Sequence, residues 1–142
     1  MLKRSIGIGM LFIAGHAYSS NIVVTITEDI QANDKECSLR EAVEYINFGL
    51  PEEGHNGCGG ENSSNVILLE KHAVYKLNQQ LKITQPLSIK TTYDTGLKEN
   101  NIKGLNNAII EMAGNERIFH IESSDDKRIQ VNLSEVSLQG CG

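Results

Sequence analysis

Three cysteines and one histidine are the residues whose types and spacing suggest specific chemistry. Cys37 and Cys58 lie 21 residues apart around a polar, glycine-rich loop, and Cys141 is the last residue but one. In an oxidising compartment the first pair is expected to form a disulfide, worth about 3 kcal/mol in the chain-entropy model. The alternative is zinc, because His55 and Cys58 have H-x-x-C spacing and the other cysteines could complete the ligands. Since no C-x-x-C pair supports zinc, we predict a Cys37–Cys58 disulfide and no metal or cofactor.

The remaining candidates do not combine into a catalytic site. The sequence lacks the P-loop, G-x-S-x-G, H-E-x-x-H and G-x-G-x-x-G motifs. His120 lies in a predicted strand between apolar neighbours, where alternation directs it outward into solvent. Asp125 and Asp126 are adjacent, and two neighbouring carboxylates cannot supply the roughly six to eight oxygens that calcium requires. We therefore predict no catalytic residue in these 142 residues.

The beginning of the sequence has the order of a secretory signal peptide. Lys3 and Arg4 precede an uncharged, mostly apolar run over residues 6–14, and small residues follow. The run is too short to span a bilayer, which needs about 20 apolar residues. We predict that residues 1–19 are a signal peptide, that the product is exported, and that no transmembrane span remains after cleavage.

The net charge of the chain limits the classes of partner that it can bind, and its length limits the number of domains. The net charge is −5, and it becomes −7 once Lys3 and Arg4 are removed with the signal peptide. An acidic chain without clustered Lys and Arg has no surface suited to a phosphate backbone, so nucleic acid is excluded as a partner. With 142 residues, 39% of them hydrophobic, the chain is one domain or a piece of one.

One segment is predicted to form a short helix. Ser38 and Glu41 have the spacing of a capping box, in which the hydroxyl and the carboxylate each bond a backbone amide at the helix start. Gly49 and Pro51 end the helix. Residues with helical spacing form one apolar stripe: Leu39, Ala42, Val43 and Ile46. The helix is therefore expected to cover an apolar surface.

The rest of the chain consists of short apolar runs that predict strands. Residues 21–27 alternate like a half-buried strand, and eight further runs are rich in β-branched residues. These runs cover residues 66–69, 74–77, 81–83, 87–89, 109–112, 118–121, 129–133 and 136–138. If Ile67, Ile89, Ile110 and Val131 are equivalent positions, the repeat is 21 or 22 residues, which favours a β-solenoid of stacked coils. An antiparallel sandwich is the competing fold, but few two-residue hairpin turns are present.

These patterns predict an all-β fold in which a helix covers the first coil of a solenoid. Residues 20–64 would form an N-terminal cap of strand, helix and disulfide loop, and residues 65–142 the first coils of a parallel β-helix. A solenoid needs a cap at both ends, and no second cap follows residue 138. We therefore expect a truncated chain, with the partner of Cys141 beyond its end.

Residues 37–42, with the sequence CSLREA, carry a resemblance to a known family. Together with the opening strand and the ordered segments NVILL, VYKL, PLSI, RIFHI and LSEVSLQG, they resemble the CSLREA-motif family of exported right-handed parallel β-helix proteins of bacteria. Within that family the chain is most similar to the rhombotarget A group. The resemblance implies a product released from, or displayed on, the outer surface of a Gram-negative cell.

The resemblance gives the motif a structural role and leaves the ligand open. The residues assigned to the cap are Ser38, Leu39, Arg40, Glu41, Val43 and Ile46. A noncatalytic function in display, adhesion or envelope interaction is expected, with surface polysaccharide or a host or neighbouring-cell ligand as partner, besides the secretion and sorting machinery. The alternative is a β-helix polysaccharide lyase or hydrolase whose site lies beyond residue 142. A small disulfide-stapled inhibitor would fit the size but not the repeating apolar runs.

Overall fold

A computed structural model describes residues 19–95, 106–123 and 127–140. This part of the chain contains one helix and nine strands. In order they are β1 (Ser20–Val23), α1 (Leu39–Asn47), β2 (Ser63–Glu70), β3 (Val74–Leu77), β4 (Leu81–Ile83), β5 (Leu87–Tyr93), β6 (Ala108–Met112), β7 (Phe119–Ile121), β8 (Val131–Ser134) and β9 (Val136–Gly140). The predicted all-β class is confirmed. Residues 1–18 of the predicted signal peptide, Asp125, Asp126 and Cys141 lie outside the described residues.

The strands form three parallel sheets. Sheet 1 has the order β1-β2-β5-β8, sheet 2 the order β3-β6-β9, and sheet 3 the order β4-β7. Each of these strand pairs is parallel, which excludes the antiparallel sandwich. From β2 onward the chain passes through sheets 1, 2 and 3 in the same order each time.

The predicted strands are present, although the first is shorter than expected. Each of the eight later apolar runs overlaps one strand, and β3 and β4 have the predicted bounds. The opening strand was predicted over residues 21–27, but β1 ends at Val23. The amide of Val24 still donates to the carbonyl oxygen of Leu68 in β2 at 3.2 Å, but the next two amides, of Thr25 and Ile26, donate to the carbonyl oxygen of Cys37 instead, at 2.8 and 3.4 Å. The alternating pattern persists beyond the strand, since Val24 is buried.

The predicted equivalence of four positions is wrong at Ile110 and also at Val131, which pairs with Leu87 rather than with Ile89. Ile67 does pair with Ile89, 22 residues later, but Ile89 then pairs with Leu133, 44 residues further on. Ile110 lies in sheet 2, where it pairs with Tyr75. The repeat is irregular because connections differ in length: residues 71–73 join β2 to β3, whereas residues 94–107 lie between β5 and β6.

The core lies between the three sheets and is built from rows of inward-facing side chains. Ile22, Ile67 and Ile89 form one row across sheet 1, and each is at most 1% exposed. Ile83 and Ile110 face the same core from the other two sheets. Burying each such aliphatic side chain stabilises the fold by about 1.5–3 kcal/mol. The apolar stripe of α1 joins this core, and β4 is the strand with which the helix is most in contact.

Candidate functional site

The start of α1 is held by the reciprocal bonds that its sequence predicts. The amide of Glu41 donates to Oγ of Ser38 at 3.1 Å, and the amide of Ser38 donates to Oε1 of Glu41 at 3.0 Å. The other carboxylate oxygen accepts from the amide of Ala32 at 2.7 Å, and the Ser38 hydroxyl donates to the carbonyl of Ile30 at 2.6 Å. The buried Glu41 carboxylate thus bonds two backbone amides and fastens the preceding loop to the helix.

Arg40 links three segments of the chain. Its Nε and Nη2 donate to the two carboxylate oxygens of Asp29 at 2.6 and 3.0 Å, which is a bidentate ion pair. Its Nη1 and Nη2 also donate to the carbonyl oxygens of Gln80 and Gln79, at 3.1 and 2.7 Å. Asp29 in turn accepts from the amide of Asn78 at 2.8 Å. The guanidinium therefore joins α1 to the loop before it and to the turn between β3 and β4.

Cys37 and Cys58 form a disulfide with a Cα–Cα distance of 4.9 Å. Both residues are buried. Because their sulfurs are bonded to each other, they cannot serve as the thiolate ligands of the zinc site considered above. The bond fixes the residue before the helix cap to the end of the glycine-rich loop. No group of three or more His, Cys, Asp or Glu residues within the described ranges is placed to hold a metal ion.

Tyr45 anchors the chain beyond the disulfide to the helix. Its ring is completely buried, and its hydroxyl accepts from the amide of Gly60 at 3.1 Å. The carbonyl oxygens of Pro51 and Gly60 lie 3.0 and 2.9 Å from the hydroxyl, which donates its proton to one of them. Gly59 packs directly against the ring with φ +69°, and a Cβ there would overlap the ring atoms. Glycine is required at this position by both the backbone angle and the contact.

Polar groups of the cap also bond the first edges of sheets 2 and 3. Asn47, at the last position of α1, donates from Nδ2 to the carbonyl of Lys82 at 2.8 Å and accepts at Oδ1 from the amide of Thr84 at 2.9 Å. The carbonyl of Thr27 accepts from the amide of Lys76 in β3 at 3.2 Å. We call α1, residues 27–29 and the edges of β3 and β4 that they cover the capped end.

A groove of about 420 Å³ runs between α1 and β4. Its lining residues are Arg40, Val43, Glu44, Asn47, Phe48, Gln79, Gln80, Leu81, Lys82 and Glu116. Phe48 is 64% exposed, and its ring meets the ring of His55 edge-on at a centroid distance of 5.0 Å. The groove thus offers an exposed aromatic ring beside amide and charged side chains.

Each charged side chain of the groove already has a partner within the protein. Glu44 accepts from Nε2 of His55 at 3.0 Å, and Glu116 accepts from the amide of Gln80 at 3.0 Å. Lys82 pairs with Glu122 at 3.2 Å, and this hydrogen bond, with the charge of Lys82, lowers the pKa of the Glu122 carboxyl. Arg40 is engaged by Asp29. The groove can contact a ligand, but each of its charged side chains is already bonded to another group of the protein.

A second polar cluster lies where β2 and β5 end. The carboxylate of Glu70 accepts from the amide of Thr95 at 3.0 Å and also from its hydroxyl. The Tyr75 hydroxyl accepts from the amide of Glu70 at 2.8 Å, and the Tyr93 hydroxyl donates to the carbonyl of Val24 at 2.7 Å. Burial raises the pKa of both tyrosines, so both hydroxyls stay protonated at neutral pH. The cluster ties the ends of strands together and supplies no reactive phenolate.

The two other histidines of the described residues, His72 and His120, do not line the groove. His120 pairs in register with Lys82 on the outer face of sheet 3, and its Nε2 lies 3.3 Å from Oε1 of Glu122. His72 has φ +66°, and its Nδ1 is buried without a hydrogen-bond partner.

Three residues that complete the cap have no role that the sequence pattern predicts. The pattern assigns a role to Arg40 but none to its partner Asp29, 11 residues earlier, and none to the edge-covering Asn47 or the anchor Tyr45. Asn47 could have been noticed as an amide at the end of an amphipathic helix. Asp29 could not, because the polar loop from residue 28 to 36 has no periodicity to fix its path.

The chain was compared with known proteins, and no match was found. No family model, curated protein or solved structure matches the chain. Within residues 19–95, 106–123 and 127–140, no helix combines the length and apolar character needed to cross a bilayer.

Proposed function

We propose that this chain is the N-terminal part of an exported right-handed parallel β-helix protein of the CSLREA-motif family, most similar to the rhombotarget A group. It acts without catalysis at the outer surface of a Gram-negative bacterium, in display, adhesion or envelope interaction. Its ligand is a surface polysaccharide or a protein of a host or neighbouring cell. Secretion and sorting machinery delivers it.

The main support for this proposal is the set of contacts that the residues of the CSLREA motif make. Arg40 bonds the backbone of the turn before β4, and its partner Asp29 bonds the amide of Asn78 in the same turn. Stacked parallel sheets expose unpaired backbone at their first layer, and repeat proteins need a cap there to remain soluble. A CSLREA segment that covers this layer is what an N-terminal cap of a β-helix requires.

Export is supported by two independent features of the chain. Residues 1–19 have the charge and hydrophobicity order of a signal peptide. The buried Cys37–Cys58 disulfide is typical of proteins that fold in an oxidising compartment. Together they favour the periplasm or the cell exterior over the cytosol.

A noncatalytic function is supported by the groove beside α1. A general acid or base must lie within hydrogen-bond reach of the substrate proton that it transfers. In the groove, the carboxylates of Glu44 and Glu116 are directed at His55 and at the backbone amide of Gln80, from which they accept hydrogen bonds. Because these bonds hold the loop and the turn in place, contact with a ligand is the function that the groove supports best.

Export is tested by expressing the full chain with a C-terminal epitope tag in a Gram-negative host. We expect loss of a leader ending near residue 19, measured by mass spectrometry, and tag outside the cytoplasm after cell fractionation. The matched control is the Lys3→Glu/Arg4→Glu variant, which removes the positive charge that precedes the apolar run. Full-length protein that stays in the cytoplasm would contradict the proposal.

Surface binding is tested by adding the purified chain to intact Gram-negative cells and measuring the bound fraction. Binding that is lost after periodate oxidation of the cells identifies a polysaccharide ligand, and binding that resists periodate but is lost after protease treatment identifies a protein. If the chain does not bind untreated cells, the adhesive function is overturned. Release of reducing or unsaturated ends from polygalacturonate would overturn the noncatalytic assignment.

A further inference from the structure

Phe48, directly after α1, carries an exposed aromatic ring whose position is fixed by its neighbours. The side chain is 64% exposed, more than any other large apolar side chain of the described residues. Its amide donates to the carbonyl oxygen of Glu44 at 2.9 Å, and its ring contacts His55, whose Nε2 bonds the Glu44 carboxylate. His55 also exchanges backbone hydrogen bonds with Cys58 of the disulfide, at 2.9 and 2.8 Å. Because the ring is already positioned, little conformational entropy is lost when a ligand stacks on it.

The groove between α1 and β4 differs from other depressions of the surface in containing this ring. Four further depressions, of about 210 to 510 Å³, lie among the described residues, and none of the four is lined by an aromatic side chain. Val43 and Leu81 also line the groove, but they are only 1% and 0% exposed. Phe48 is therefore the apolar side chain of the groove that a ligand can contact. A protein partner would need a larger apolar surface, because the centre of a protein interface is apolar and closely packed.

Two side-chain amides of the groove are available to bond a ligand. Gln79 and Gln80 are held through their backbone, since both carbonyl oxygens accept from Arg40 and the amide of Gln80 donates to Glu116. No residue within the described ranges hydrogen bonds the side-chain carboxamide of either glutamine. A carboxamide both donates and accepts, as a hydroxyl does, so the two groups are suited to a hydroxylated ligand.

The charges of the groove are balanced, which favours a neutral ligand. Two cationic and two anionic side chains line it: Arg40, Lys82, Glu44 and Glu116. The two cations are paired with Asp29 and Glu122, so an anionic chain would have to break these ion pairs to bind. A neutral sugar needs no free charge. Its ring has an apolar C–H face that fits against an aromatic ring, and hydroxyl groups around the rim that fit the two amides.

We infer that the groove between α1 and β4 binds a neutral polysaccharide, with Phe48 stacked on a sugar ring and Gln79 and Gln80 bonding its hydroxyls. The groove volume of about 420 Å³ lies within the roughly 300–1,000 Å³ of small-ligand sites, so the groove holds a short stretch of the polymer. This inference rests on the proposed function, because it assigns the surface ligand of that proposal to one site and one chemical class.

The inference is tested by affinity electrophoresis of the full chain, expressed with host processing of any leader, in native gels that contain dextran, mannan or galactan. We expect at least one of these neutral polysaccharides to retard the chain and polygalacturonate not to. Phe48→Ala should weaken binding by at least about 10-fold, whereas Phe48→Tyr keeps the ring and should stay within about threefold. The matched control is Val23→Ala, which removes an apolar side chain of 43% exposure from β1 and should bind like the unmodified chain.

A second variant keeps the test decisive if Phe48→Ala fails to fold. Gln79→Ala/Gln80→Ala leaves the backbone carbonyls that Arg40 bonds and should weaken binding by about fivefold. No retardation by any of the three neutral polysaccharides, unchanged binding in the variants of the groove, or tighter binding to polygalacturonate would each overturn the inference.

Adding the same proteins to intact cells separates this inference from the proposed function. An unmodified chain that does not bind cells overturns the proposed function, whereas cell binding that Phe48→Ala leaves unchanged overturns only the assignment of the groove. Binding that is lost in Phe48→Ala but resists periodate would show that the groove binds a protein, which also overturns the inference. Binding that is lost both in Phe48→Ala and after periodate oxidation supports it.

Discussion

At the capped end, the backbone of β3 bonds Thr27, the backbone of β4 bonds the side chain of Asn47, and the turn between these strands bonds the side chain of Arg40. At the opposite end of the described strands, which we call the open end, β8 and β9 expose inward-facing leucines and an edge that no described strand covers. The two ends of the described strands therefore differ. Polar groups bond the backbone at one end, and apolar side chains are exposed at the other. The difference shows that stacking parallel strands does not by itself complete a fold, since each final layer needs specific groups to replace the strand that is missing.

Removal of Arg40 should produce the largest loss at the capped end. In the Arg40→Met variant, Asp29 keeps a charge that is only 4% exposed and loses its bidentate partner. Breaking a buried pair in this way costs about 3–5 kcal/mol. The free energy of unfolding from urea denaturation measures this loss. The variants Asp29→Asn and Asp29→Asn/Arg40→Met complete the cycle. The double variant should lose less than the sum of the two single losses, and losses that simply add would show that the pair is not coupled.

Two side chains of the same core row, one in an inner strand and one in the outermost strand, allow the packing of the inner and outer layers to be compared. Ile89→Ala removes a fully buried side chain and should cost about 2–5 kcal/mol. Leu133→Ala, its register partner in the exposed layer, should cost under about 1 kcal/mol in dilute solution, because Leu133 is 40% exposed there. Thermal or urea unfolding of both variants tests the difference. Similar losses would mean that the outer layer is as well packed as the inner one.

Loss of the helix cap should have a smaller effect. Ser38→Ala removes the acceptor of the Glu41 amide and the donor to the Ile30 carbonyl, so a cost of about 1–2 kcal/mol is expected. The exposed Ser134 in β8 provides a matched substitution at the open end, where Ser134→Ala should change stability by less than about 0.5 kcal/mol. A Ser38→Ala variant as stable as Ser134→Ala would contradict the role of the capping box.

The elements that could be predicted from the sequence are those whose structure is set by one local period. The helix with its capping box and the eight later strands could be predicted because α1 follows helical spacing and the strands are short β-branched runs. The alignment of Ile110 and Val131 could not be predicted, because apolar spacing does not reveal the lengths of the connections between strands. The roles of Asp29 and Asn47 could not be predicted either, because their partners lie 11 and 35 residues away along the chain. Such pairs are set by how layers stack rather than by neighbouring residues.

The smallest effect is expected for the ion pair that connects the two ends across sheet 3. Lys82 of β4 and Glu122, just after β7, are both more than half exposed, and their contact lowers the pKa of Glu122 from its ordinary value of 4.5. The pair therefore stabilises the fold above that ordinary value, and its contribution is lost as pH falls through the lowered pKa. Lys82→Ala should return the pKa of Glu122 toward 4.5, measured by NMR titration of the carboxyl carbon. Lys90→Ala, in sheet 1, is the control and should leave it unchanged. An unaltered Glu122 pKa in Lys82→Ala would show that the contact does not persist in solution and that the layers are joined at this point by backbone bonds alone.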